Sequence, residues 1–117
     1  MTHRIIYKIT PRALWQQAEA DGVFSGAPVD KADGFIHFST AAQVRETAAK
    51  HFAGQNDLLL LSIDAHALGP TLKYEPSRGG DLFPHLYADL PLHAVVKVEP
   101  LPINEDGLHI FPELNQE

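Results

Sequence analysis

The chain has 117 residues, 44% of them hydrophobic and 21% charged, which suits one ordinary domain with one core and is short for two. Its formal net charge of -6 and pI near 5.5 exclude the basic footprint that neutralises a duplex phosphate backbone. There is no cysteine, which removes disulfides, thiolate catalysis and cysteine zinc sites together.

The first residues, MTHRIIYKIT, lack the apolar run and small-residue cleavage site of a signal peptide, and no window reaches the roughly 18 apolar residues of a membrane span. A cytoplasmic protein without a membrane partner is expected; whether it has a protein partner is left open by the sequence. Ile5 to Ile9 has the β-branched and aromatic composition of a strand. Thr10-Pro11 reads as an N-cap followed by proline at the first helical position, where the missing N–H costs nothing. Leu14, Trp15 and Ala18 give this first helix an apolar stripe, and Asp21-Gly22 is its stop, because glycine accepts the left-handed conformation.

Val23 to Ala32, with small residues, a proline and mixed polarity, reads as loop and as the most mobile segment. In Phe35 to Ser39 strand alternation puts Phe35, His37 and Ser39 on one face and Ile36 and Phe38 on the other. Thr40-Ala-Ala-Gln43 matches a capping box, and Val44, Ala48 and Phe52 continue a second helix to Gly54. Asp57 to Asp64 is apolar throughout, as in a central strand covered on both faces. Thr71 to Glu75 is a further strand, Leu82 to Leu90 a turn-rich connection, and His93 to Glu99 a final strand. The tail after it, with Pro100, Pro102 and Pro112, lies over the domain as an arm or frays. Helices early and strands late favour a single α+β domain, with a mixed or mostly antiparallel sheet and two helices in the N-terminal half.

Seven histidines invite a metal site, yet no HExxH or HxxxH spacing occurs; His3, His66 and His109 fall in segments read as exposed, and no metal is expected. His37 stands out by its company, on a strand leading into a helix start whose free N–H groups suit a phosphate or carboxylate. The alternative is a core histidine bonded to a carbonyl. A second constellation, KYEPSRGGDLFPHLYADLPL, gathers Tyr74, Glu75, Ser77, Arg78, His85 and Tyr87. It is either a solvated loop with strand-edge charges or, given Tyr74, Phe83 and Tyr87, a surface that a ligand covers.

The order IYKIT, helix, DGFIHFSTAAQV, helix, DLLLLSID, LKYEPSRGGDLFPHLYADLPLHAVV resembles a family of small bacterial proteins known as domain of unknown function 952, from Ile6 to about Leu101, with a family-like core near residues 5–101 and a C-terminal arm over 102–117. The family's fold is grouped with the ADP-ribosyltransferases, which split NAD at the nicotinamide–ribose bond. The resemblance implies an ADP-ribosylation-like fold and a nucleotide cleft built around His37 and residues 73–92, with NAD as substrate and no resident cofactor. Nicotinamide departure leaves an oxocarbenium-like sugar that a carboxylate stabilises, and an aromatic face holds a planar ring. The implied catalytic residues are His37 and Glu75; the implied ligand-binding residues are Lys8, Ser39, Thr40, Tyr74, Arg78, His85 and Tyr87. Lys8 stands where the superfamily pattern would place a histidine, and it supplies a point charge without an imidazole's geometry. Glu75 read without the family is a strand-edge acid paired with Lys73 or Arg78. The alternatives are a nucleotide-binding module without turnover, a small hydrolase or metal-assisted enzyme using the histidines, and a protein-interaction role.

Overall fold

A computed structural model describes residues 4–114, with the side chain of Arg78 outside that description; His3 lies outside the described residues. The first strand, β1 (Ile5–Pro11), pairs antiparallel along its whole length with β4 (Leu58–Asp64), and β4 pairs on its other edge with β8 (Val95–Leu101), antiparallel. A second antiparallel sheet has the order β3 (Ile36–His37), β6 (Leu82–Leu86), β5 (Leu72–Pro76). A two-stranded ribbon joins β2 (Val23–Phe24) to β7 (Leu90–Pro91). The helices are α1 (Arg12–Asp21), α2 (Pro28–Asp33) and α3 (Val44–His51). The protein is thus α+β with antiparallel sheets, as expected, but among the described residues it has three α-helices where two were expected, and three small sheets where one was.

Strand β4 carries the core on both faces. Leu59, Leu61 and Ile63 alternate into one cluster with Ile6, Trp15, Phe24, Phe38 and Leu86, whereas Leu58 and Leu60 enter a second with Tyr7, Val44, Ala48 and Leu101. The period of two explains why an uninterrupted leucine run is tolerated here, since both faces exclude water. The C-terminal arm lies over the second cluster: Leu114 is buried in it, Phe111 packs against it, and the arm is tied to the end of α3 by Gly54 N–H to Gly107 O at 3.1 Å.

Several boundaries differ from the sequence reading. Pro11 closes β1 and itself flanks α1, while Thr10 makes no capping bond to the helix, because β1 pairs with β4 through Pro11 and holds Thr10 in the sheet. Gly22 ends α1 in the left-handed conformation, φ 83°, as expected. The segment read as loop and most mobile holds β2 and α2. Val29 is exposed and no apolar stripe marks this six-residue helix; Pro28 at its first position and Asp30 two residues on set its start. Residues 82–86, read as a turn-rich connection, form the central strand of the second sheet. Pro84 is tolerated there because its carbonyl accepts from Phe38 N–H at 3.0 Å and the bonds on either side need no donor from it. The last strand starts two residues late, at Val95, after a 3-10 turn over Leu92–Ala94.

The two larger sheets meet at one point. Tyr7 N–H donates to Ser39 O at 2.8 Å and Ser39 N–H to Tyr7 O at 2.9 Å, which links β1 to the chain leaving β3. A cavity of about 570 Å³ opens at this junction.

Candidate functional site

The cavity is built by β1, β3, β6 and helices α2 and α3. Its wall combines aromatic and apolar groups (Tyr7, Phe38, Phe52, Phe83) with Lys8, Asp33, His37, Ser39, His51 and His85. Apolar walls with a few converging polar groups are the usual composition of a small-molecule site.

Its chemistry begins at Asp30, a carboxylate 1% exposed. Gly26 has φ +107°, and a Cβ there would sit 2.9 Å from Asp30 Cβ, so only glycine lets the chain fold this closely over the acid. Asp30 accepts from Ala27 N–H (2.7 Å), His37 N–H (3.1 Å), His37 Nδ1 (2.6 Å) and Lys8 Nζ, the last at 3.0 and 2.9 Å to its two oxygens. Burial alone would raise this carboxyl; the donors, His37 first and then Lys8 and Ala27, outweigh it and hold it at about 2. Lys8 is pushed below the usual lysine range by burial, with Asp30 acting against that shift. The other nitrogen of His37, Nε2, lies 2.9 Å from Asp33 Oδ2. The result is an alternating chain, Lys8, Asp30, His37, Asp33, that runs from the buried sheet to the surface.

A second network faces it across one pair of strands. His37 and His85 are directly opposite in register on β3 and β6, with ring centroids 5.5 Å apart. His85 is buried, and its Nδ1 lies 2.8 Å from Glu75 Oε1, which also accepts from Tyr87 Oη at 2.8 Å. The hydrogen bond from His85, then that from Tyr87, holds the Glu75 carboxyl below its usual range, and the bond to Glu75 raises the Tyr87 phenol. Phe35 stacks on His85 at 4.2 Å and touches the rings of His37 and Tyr87, so both imidazoles are oriented by a carboxylate on one side and an aromatic on another.

The residues expected at the site distribute unevenly. Lys8, His37, Ser39 and His85 line the cavity, with Ser39 Oγ 2.9 Å from Thr47 Oγ1. Thr40 is buried beside it, its N–H donating to Gln43 Oε1 at 3.0 Å, and Gln43 and Val44 N–H groups bonding its carbonyl; the expected reciprocal bond from the Thr40 hydroxyl to the helix is not made. Tyr74, Glu75 and Tyr87 are absent from the lining; Glu75 hydrogen-bonds His85 and Tyr87, and Lys73 acts on it only through its charge. The part expected of Arg78 rests on a side chain outside the described residues. The imidazole of His37 was expected to face the N–H groups of the following helix; α3 starts only at Val44, and the ring is held by carboxylates of the preceding helix. Asp30 and Asp33 were missed, and Phe35 was placed on the face of His37 without being named a site residue. The local signal for Asp30 was proline at a first helical position followed two residues later by an acid, in a segment whose small residues argued for loop. Among the described residues no group of three or more histidines and acids is arranged to hold a metal, and no helix is long and apolar enough to cross a membrane.

Comparison with known proteins adds a family and a fold but no chemistry. The crystal structure of CC0527 from Caulobacter crescentus is 50% identical, covers 91% of this chain and 93% of its own, and superposes with a TM-score of 0.88. The solution structure of CC0527 gives 50% identity, 91% of each chain and a TM-score of 0.81. No curated protein matches the sequence. Residues 9–98 match the family described as "Protein of unknown function (DUF952)", and the chain belongs to that family.

Proposed function

We propose that this chain has an ADP-ribosylation-like fold and binds a nucleotide, with NAD or ADP-ribose as the ligand, in the cavity between β1 and the β3–β6 pair, and that it transfers or removes an ADP-ribosyl or related group there. The observation that carries this reading is the pair of opposed imidazoles, His37 and His85, each fixed by a carboxylate at the wall of an aromatic-lined cavity of about 570 Å³. That volume falls in the usual range for small-molecule sites, about 300 to 1,000 Å³. Tyr7, Phe38, Phe52 and Phe83 give the wall an apolar, aromatic character that suits a nicotinamide or adenine ring, and the histidines offer orientable hydrogen bonds to ribose hydroxyls or phosphate. The carboxylate placed to stabilise a sugar cation is Asp33, which lines the cavity; Glu75 acts through His85 as a positioning residue. NAD enters as a substrate, and the protein would act in the cytoplasm.

A nucleotide-binding module without turnover is the second reading, favoured by the pairing of the Lys8 ammonium with both oxygens of Asp30. Isothermal titration with NAD and with ADP-ribose, repeated on His37→Ala, tests the site, and an assay for free nicotinamide tests the chemistry. Binding weakened in the variant supports the cavity as the nucleotide site, and nicotinamide release separates enzyme from binder. Failure of both ligands to bind would discard the nucleotide reading.

A further inference from the structure

Both ring nitrogens of His37 lie within hydrogen-bond distance of carboxylates, at 2.6 Å to Asp30 and 2.9 Å to Asp33. Ionised carboxylates only accept, so the doubly protonated ring is the form that satisfies both contacts. The two acids differ sharply. Asp30 is buried and takes donors from Ala27, Lys8 and His37, whereas Asp33 is 48% exposed and His37 is its sole ion-pair partner among the described residues. An exposed ion pair of that kind contributes little, about 0 to 1 kcal/mol, so the Asp33 contact is easily exchanged. Opposite it, His85 is 4% exposed and lines the same cavity, and its Nε2 has no hydrogen-bond partner among the described residues. With Nδ1 donating to the Glu75 carboxylate, that buried Nε2 presents a lone pair. A buried polar atom without a partner, on a residue that lines a cavity, is an exception that calls for a ligand or water.

We infer that His37 and His85 form a two-point seat for a tetrahedral oxyanion that keeps a hydroxyl at neutral pH, as hydrogen phosphate does, and that Asp33 occupies the anion's place on His37 until the ligand displaces it. His37 Nε2–H donates to the anionic oxygen and His85 Nε2 accepts from the protonated one. The rings, 5.5 Å apart, are close enough for one tetrahedral group to reach both. Lys8 does not compete for this role, because Asp30 neutralises it inside the protein. The inference rests on the cavity being a ligand site, as proposed above, and is independent of the ligand being NAD.

The test uses the whole chain and inorganic phosphate, with histidine ring resonances followed by NMR near neutral pH. Saturable shifts of His37 and His85 are expected. Asp33→Asn, at an exposed position, should tighten phosphate about fivefold, the equivalent of the roughly 1 kcal/mol by which loss of the charge weakens the contact it competes through. Sulfate, which carries no proton at this pH, should bind more weakly than phosphate. Unchanged or weaker phosphate binding in Asp33→Asn overturns the displaced-carboxylate assignment; sulfate binding as tight as phosphate, or no shift of either ring, overturns the seat. Phosphate binding without NAD or ADP-ribose binding leaves the seat in place and removes the nucleotide reading, while nucleotide binding that phosphate does not perturb does the reverse.

Discussion

The protein contains two histidine–carboxylate networks on adjacent strands, and they are held by different physics. At Asp30 the carboxylate is sealed from water and saturated with donors from three segments of chain, β1, the start of α2 and β3. At Glu75 the carboxylate sits about a third exposed on β5, and its partners, His85 and Tyr87, come from one stretch of chain. The first network joins the helix to both sheets, so it is structural as well as chemical. The second orients one imidazole and leaves the fold to the strands themselves.

Removing the Asp30 carboxylate is the largest way to break this contrast. Asp30→Ala would leave Lys8 buried without a counter-charge and two backbone N–H groups without an acceptor, a loss of about 3 to 5 kcal/mol in urea unfolding. Adding Lys8→Met to that variant should recover part of the loss, because the uncompensated charge goes with the side chain. A double variant no more stable than the single one would mean that Lys8 is not the charge Asp30 compensates.

Acid titration probes the same carboxylate without mutation. Asp30 has a folded value of about 2 against an ordinary one of 3.8, so its ionised form favours the folded state. That stabilisation, about 2 kcal/mol, is fully present above the unfolded value and lost as pH falls from near 4 through 2. Urea midpoints between pH 5 and pH 2 should show this loss in the wild type and lack it in Asp30→Asn. A flat wild-type profile across that window would sink the assignment.

How far the sequence revealed these networks follows from where their partners lie in the chain. The central leucine strand and the stop at Gly22 were readable because each depends on residues within a few positions, by period or by backbone conformation. His37 and His85 were singled out by local company, and register on β3 and β6 then brings them face to face. Asp30 was readable at most as an acid in the first turn of a helix, and its burial was not readable. Its burial comes from Lys8, 22 residues earlier, and His37, seven later, while the six-residue helix that carries it has an exposed valine and no apolar stripe. Residues 82–86 read as a connection rather than β6, and Pro84 argues against a central strand unless the neighbouring bonds use its carbonyl, as Phe38 does. Tertiary partners decided each of these elements, and no local pattern encodes a partner that far away.

The smallest expected effects belong to the exposed network, and they sharpen the comparison through His85. Glu75→Gln should leave the urea midpoint near wild type, because strand pairing of β5 with β6 does not depend on the side chain. Its effect should fall on the imidazole. A neutral amide accepts less strongly than a carboxylate and can also turn its NH2 toward Nδ1, so the preference for a proton on that nitrogen weakens. The ring 15N shifts of His85 should move from the form with its lone pair on Nε2 toward a mixture of tautomers, and phosphate affinity should fall with them. Tyr87→Phe removes only the second donor to Glu75; a carboxyl-carbon titration should find Glu75 raised slightly yet still below the usual range, since the His85 bond is the larger cause. A return of Glu75 to ordinary behaviour in Tyr87→Phe would reverse that order and make the tyrosine the group that holds the acid, with the histidine following it.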